Sequence, residues 1–201
     1  MKISSRDRRQ RSAQASLLQH KSHTTSNLPP LTFSKSQGIF IRDLVKSDAH
    51  FLVVGGKAMQ AIGIERKTMD LDVWISRNAR TAESVFSALK KLCGAPDVFR
   101  ERLCEPNIRV AIPNEQHPEI DVLTSIGDLS FEEMYSAATE VTWRTYLLRI
   151  PKRDDLIRIK QVTITSIEGR IAAGQWNAAS IEEARRVIIR DQRDIELILQ
   201  R

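Results

Sequence analysis

Cysteine and histidine are scarce in this chain. Its 201 residues include two cysteines, Cys93 and Cys104, and four histidines, His20, His23, His50 and His117. The histidines are scattered, and no Cys/His spacing matches a zinc site. Two cysteines cannot make the dense disulfide framework of a small secreted domain, and no secretory signal pattern precedes them, so reduced thiols in a cytoplasm are expected. A single structural disulfide would need an oxidising compartment. No apolar run approaches the length of a membrane span, so a membrane-embedded role is not expected. Acids are nearly missing from residues 1–30, where Arg, Lys, Ser and Gln dominate and bulky apolar groups are few. Such a segment has too little apolar surface to offset the chain entropy of folding. A basic tail, disordered or only locally helical, is expected up to Pro29-Pro30, with Arg6, Arg8, Arg9 and Arg11 suited to capturing polyanions.

Beyond the tail the chain changes character. With 41% hydrophobic residues overall, it can bury the core of one domain of ordinary size, with or without a helical appendage. The formal net charge is +6 and the pI is near 9.6. That field suits a polyanionic partner, a nucleic acid or a nucleotide, although an anionic membrane surface would answer it too.

Phe51 to Ile75 carries the densest pattern. Phe51 to Val54 is a short apolar run stopping at Gly55-Gly56, which predicts a buried strand and a tight turn. Lys57 to Ile62 has the spacing of a short helix, with Gly63 as a left-handed cap. Strict alternation then places Met69, Leu71, Val73 and Ile75 on one strand face and Asp70, Asp72 and Trp74 on the other, as in a half-buried strand. Asp70 and Asp72 would sit about 7 Å apart at Cα, given roughly 3.3 Å of rise per residue. Carboxylates that close repel unless a cation lies between them, and hard oxygen donors near glycine amides suit Mg²⁺ held together with substrate phosphates. An isolated Asp-x-Asp is usually only a solvated strand face. Here Asp121, on the apolar run Glu119 to Leu123, supplies the third acid that bridging two metals requires.

Gly-Gly, a short helical spacer and then Asp-Leu-Asp-Val resembles the signature of the nucleotidyltransferase fold, the superfamily of DNA polymerase beta. Within it the chain is most like the small bacterial nucleotidyltransferases of abortive-infection and toxin-antitoxin systems, which carry a Gly-Gly turn, an Arg-x-Thr-x-Asp-x-Asp strand and a later single Asp. Arg66, Thr68, Asp70, Asp72 and Asp121 match that pattern, and the likeness covers roughly Gly38 to Leu199. The resemblance implies an α/β (α+β) fold with a mixed sheet flanked by helices over residues 36–150 and a helical region over 151–201. It implies Asp70, Asp72 and Asp121 as catalytic ligands of Mg²⁺ or Mn²⁺, and a nucleoside triphosphate (NTP), such as ATP, as substrate. Gly55 and Gly56 would cradle the triphosphate, Arg66 and Thr68 would stand at the substrate mouth, and Lys160 would contact phosphate. Lys57 stands where relatives often have a small residue; a solvated helix N-terminus is the plain alternative for it. The tail's composition is also that of a mitochondrial transit peptide, but the likeness to bacterial proteins favours a basic tail.

Further along, residues 79–92 have amphipathic helical spacing ended by Gly94, and Ile108 to Ile112 with Ile120 to Leu123 read as a hairpin across the polar Pro113-to-Pro118 turn. Asp121 is thereby expected on a strand beside the Asp70 strand. Ser130 and Glu133 form a capping-box pair opening a helix to Glu140, and Val141 to Ile150 is β-rich. Two helices close the chain, the first capped by Asp154 and the second by a Ser180/Glu183 box. Lys160 follows Leu156 by one helical turn and faces inward or along the cleft edge, and Asp191 falls on the apolar stripe of the last helix. A carboxylate there is costly unless paired or functional, so a salt bridge and a site role stay level. Asp191 and Asp194 also resemble a basic-Asp-x-x-Asp stretch of the family, at a longer interval from Lys160 than in many relatives. Trp176 offers a base-stacking surface, with packing the commoner use. Two functions are expected from these signals. One is transfer of a nucleoside monophosphate to tRNA, another RNA or a partner protein within a toxin-antitoxin or phage-defence system. The other is a non-catalytic, antitoxin-like module binding nucleotide, RNA or a cognate toxin or antitoxin protein.

Overall fold

The computed structural model describes residues 31–112 and 120–200. The basic tail, the polar turn of residues 113–118 and Glu119 lie outside the described residues. The described residues form seven helices, a four-stranded mixed sheet and a two-stranded hairpin.

The chain enters through α1 (Lys35–Lys46), started by a full capping box in which Ser34 accepts from the Gln37 amide and Gln37 reaches back to Ser34. β1 (Phe51–Val54) comes next and runs straight into α2 (Gly55–Ala61). The paired glycines therefore open the helix rather than making a separate turn before it. β2 (Leu71–Ile75) is shorter than the alternation suggests, and Asp70 lies just ahead of it. α3 (Ala79–Cys93) is capped by Asn78 and closed by Gly94 in the left-handed conformation, as its spacing predicts. After the short α4 (Val98–Arg102) come β3 (Arg109–Ile112) and β4 (Ile120–Leu123), an antiparallel pair.

α5 (Phe131–Ala137) begins at Ser130, which accepts from the Glu133 amide, but ends well short of Glu140. The residues after it form a hairpin, β5 (Thr139–Trp143) and β6 (Tyr146–Ile150), turning through Arg144 at positive φ. α6 (Arg153–Ala172) starts after Lys152, so Asp154 sits in its first turn rather than capping it. There it still favours the helix dipole. α7 (Ala178–Leu199) is capped by Asn177, not by Ser180, whose amide donates to the Asn177 side chain.

The sheet order is β1-β2-β4-β3, with β2 and β4 parallel and the outer pairs antiparallel. A parallel strand needs cover on both faces, and β2 has it. Leu71, Val73 and Ile75 join the main core with Phe40, Leu44, Val85, Phe86 and Val122. Trp74, on the opposite face, is buried with Leu52, Val54, Phe131, Met134 and Ile159. The half-buried strand expected from alternation is thus buried on both sides except at Asp72, while Met69, placed on its apolar face, is exposed. Leu156 of α6 and Ile198 of α7 belong to the main core, so the C-terminal helices share the sheet's core. No helix among the described residues is long and apolar enough to cross a membrane.

Because Ile198 is fully buried in that shared core, Ile198→Ala should lower stability by about 2–5 kcal/mol. Unfolding followed by far-UV circular dichroism and by tryptophan fluorescence should give coincident transitions. An early separate melting of helix would show instead that α6 and α7 fold apart from the sheet.

Candidate functional site

One end of the sheet gathers the charged residues. Asp72 on β2 pairs in register with Asp121 on β4, and Val54, the last residue of β1, lies opposite Asp72 on its other side. The next residue, Gly55, has φ of +60°, and a Cβ there would come within 2.0 Å of an Asp72 carboxylate oxygen. Only glycine allows the helix start to lie this close to the acid. Burial, then Asp121, then Asp70 push the Asp72 carboxyl up to about 6, with Arg190 and Arg109 opposing the shift. Asp121 is buried, and a single guanidinium grips it: Arg109 Nε donates to Oδ1 at 3.2 Å and Nη2 to Oδ2 at 2.6 Å.

Asp70 lines a cleft of about 1040 Å³ together with Gln60, Arg66, Lys67, Thr68 and Arg190. The segment leading to Asp70 is strapped at two carbonyls. The buried Gln37 amide donates to Met69 O at 2.7 Å, and Gln60 Nε2 donates to Arg66 O at 2.7 Å. Arg66 and Thr68 lie against Gly56, where a Cβ would meet Arg66 Nη1 at 2.5 Å and Thr68 Oγ1 at 2.6 Å. Lys57 is not at a solvated helix end. Its ammonium is buried, donates to Thr32 O at 2.7 Å and sits 5.7 Å from the centre of the Phe33 ring. Burial holds its pKa below the ordinary lysine value, and Asp70 partly opposes that.

A second set of charges lies between the C-terminal helices and this segment. Lys160 Nζ donates to Asp191 Oδ1 at 2.9 Å and to Asp194 Oδ2 at 2.6 Å, all three side chains being buried. Arg66 Nε is 3.0 Å from both oxygens of Asp194. Asp191 therefore has its inward lysine, and Lys160, expected to contact phosphate, has its ammonium enclosed by two carboxylates. Its effect on the cleft passes through Asp194 to Arg66. Trp176 lies under Arg170, 5.9 Å from the ring centre, and is not part of the cleft wall. Cys93 and Cys104 are exposed free thiols.

The structure thus brings together Gly55, Gly56, Arg66, Thr68, Asp70, Asp72 and Asp121, with Lys160 and Asp191 one layer behind. Arg109, Gln37 and Gln60 join them without having stood out in the sequence. Arg109 was within reach of it, because alternation along β3 and the hairpin register put it on the Asp121 face. The two glutamines carried no signal, since their carbonyl partners lie on other elements. In donor chemistry the acids fit a hard divalent cation: Asp72 and Asp121 are carboxylates side by side, and Asp72 is desolvated beside like charge. Among the described residues, however, no three acids converge as a ready-made ion site. Set against known proteins, the chain matches no family model and no curated protein.

These charges have two consequences for stability. Asp72 holds its proton more tightly when folded, from an ordinary value of 3.8 up to about 6. Its contribution is fully present below about pH 4 and is lost as pH rises through 6. At pH 7.5 the ionised carboxylate costs up to about 3 kcal/mol. Asp72→Asn should therefore stabilise the metal-free protein by about 1–3 kcal/mol at pH 7.5 and make little difference at pH 4, as read by melting in EDTA. A destabilised variant at pH 7.5 would mean that Asp72 is held by favourable partners. Asp194→Ala should do the opposite, costing about 3–5 kcal/mol, because it leaves the half-buried Arg66 without its carboxylate and the buried Lys160 with Asp191 alone. Urea titration measures it, and a loss below about 1 kcal/mol would show that the network is solvated.

Proposed function

We propose that the chain is a metal-dependent nucleotidyltransferase, moving a nucleoside monophosphate from an NTP to an acceptor hydroxyl. One observation carries the reading: Asp72 and Asp121 stand side by side on parallel strands, with Gly55 against Asp72 and Asp70 on the wall of a cleft that Arg66, Lys67 and Arg190 also line. Arg109 neutralises Asp121 within the chain, while Asp72 stays desolvated beside like charge, an arrangement that a bound cation would relieve. Asp72 and Asp121 would hold Mg²⁺ or Mn²⁺, and Asp70 would complete the donor set from the cleft side. A divalent cation held by these acids would supply a lowered pKa for the attacking hydroxyl and charge neutralisation for the leaving pyrophosphate.

The rest is work for the chain's own groups. Gly55 and Gly56 let the backbone come close to the phosphates. Arg66 and Thr68, packed on Gly56, line the route by which a triphosphate reaches Asp70. Asp194 fixes the Arg66 fork and Lys160 fixes Asp194, so the helices of the C-terminal region shape the phosphate side of the cleft. Lys57 anchors Thr32, another cleft-lining residue. The acceptor is read as tRNA or another structured RNA. Arg185, Arg186, Arg190 and Arg193 are all exposed on α7, and Arg190 reaches the cleft. Arg186 is partly neutralised by Glu182 and Glu183. A role in toxin-antitoxin or phage defence rests on the family likeness alone.

The test is incubation with each of the four labelled triphosphates, Mg²⁺, and separated RNA and protein fractions of a lysate. Label should enter an RNA band and disappear with EDTA, with Asp70→Ala and with Asp72→Ala. Label confined to a protein band would keep the reaction and change the acceptor. No label in any fraction would favour the antitoxin-like binding module.

A further inference from the structure

Asp121 already meets a positive charge within the chain. Both of its oxygens accept from the Arg109 guanidinium, a bidentate arrangement among the stronger charge-assisted pairs. The pair is set by register. Ala111 lies opposite Asp121 in the antiparallel β3–β4 ladder, and Arg109 is two residues earlier on the same strand face, at the diagonal distance that a long side chain spans. Exposure separates the partners. The Asp121 side chain is 8% exposed and the Arg109 side chain 63% exposed, on the edge strand of the sheet. The acid is fixed in the protein, and the base reaches it from the solvent side.

A divalent cation on Asp121 would compete with this fork for the same two oxygens, and two positive groups on one buried carboxylate repel each other. The Arg109 side chain is 63% exposed on an edge strand and can shift without opening the core, whereas Asp121 is fixed on a central strand. We infer that Arg109 is a resident counter-ion of Asp121 which a divalent cation must displace, so that this arginine sets the metal affinity of the site. In the metal-free protein it neutralises an acid that is otherwise paired with Asp72 across β2 and β4. The inference rests on the metal-dependent reading above.

Mn²⁺ binding to the full chain, followed by the electron paramagnetic resonance signal of free Mn²⁺, tests it without any acceptor or turnover. Arg109→Gln should bind Mn²⁺ at least ten-fold more tightly than wild type, and Mn²⁺ should raise its melting midpoint further than that of wild type. Arg109→Lys keeps the charge without the fork and should fall between them; should Arg109→Gln not fold, the lysine variant decides alone. Asp121→Asn should abolish binding. Equal or weaker binding by the Arg109 variants, with Asp121→Asn still abolishing it, would overturn the counter-ion role and leave the metal site standing. Failure of wild type and every variant to bind Mn²⁺ at millimolar concentration would remove the metal-dependent reading together with this inference.

Discussion

The parallel pairing of β2 with β4 governs the placement of everything else. Its register sets Asp72 beside Asp121, Val73 beside Val122 and Trp74 beside Leu123. A slip of one residue would turn each of these side chains to the other face of the sheet. Such a slip would put two aspartates into the layer occupied by Val85, Phe86 and Leu89, and Leu71 and Val73 at the open end. Burial on both faces therefore fixes the register, and the register fixes the acids. The parallel direction also requires a long crossover, which α3 begins.

Around that pair the charges obey two different logics. Arg66, Lys160, Asp191 and Asp194 form a largely buried set in which each group has an opposite partner within hydrogen-bond distance, with the exposed Arg190 at 3.6 Å from Asp191 on its rim. Such a set adds little net stability over an apolar packing, yet is expensive to break. Its contribution is geometric, joining α6 and α7 to the segment before β2. Asp72 and Asp121 obey the other logic. They place like charges next to each other, and Asp72 is desolvated as well, so the site works against the stability of the fold. Proteins keep such conflicts where a ligand resolves them.

Glycine has separate duties at the two positions that matter most. At Gly55 a positive φ and a carboxylate oxygen both exclude a side chain. At Gly56 the exclusion comes from Arg66 and Thr68, which occupy the space a Cβ would take. The first brings the start of α2 to Asp72, and the second brings the Arg-x-Thr segment onto α2. Substitution at either position would disturb the cleft through a different neighbour.

Local pattern alone determined much of this. The order of strands and helices, the capping of α1 by Ser34 and the close of α3 at Gly94 depend on residues a few positions apart. So does the hairpin that carries Asp121. Asn177 rather than Ser180 starts α7, by a cap as local as that of Ser34, its side chain accepting from the Ser180 amide. These are nearest-neighbour effects, in which a cap or an alternation acts within one turn or one strand. Tertiary structure decided the remainder. Trp74 was buried because α5 covers the second face of β2, which alternation along one strand cannot register. Lys57 became a buried anchor for Thr32, Lys160 a clamp between two aspartates, and Arg109 the partner of Asp121. Each of those roles depends on a charge or carbonyl supplied by another element, and the Coulomb and desolvation terms that assign it exist only once the elements are assembled.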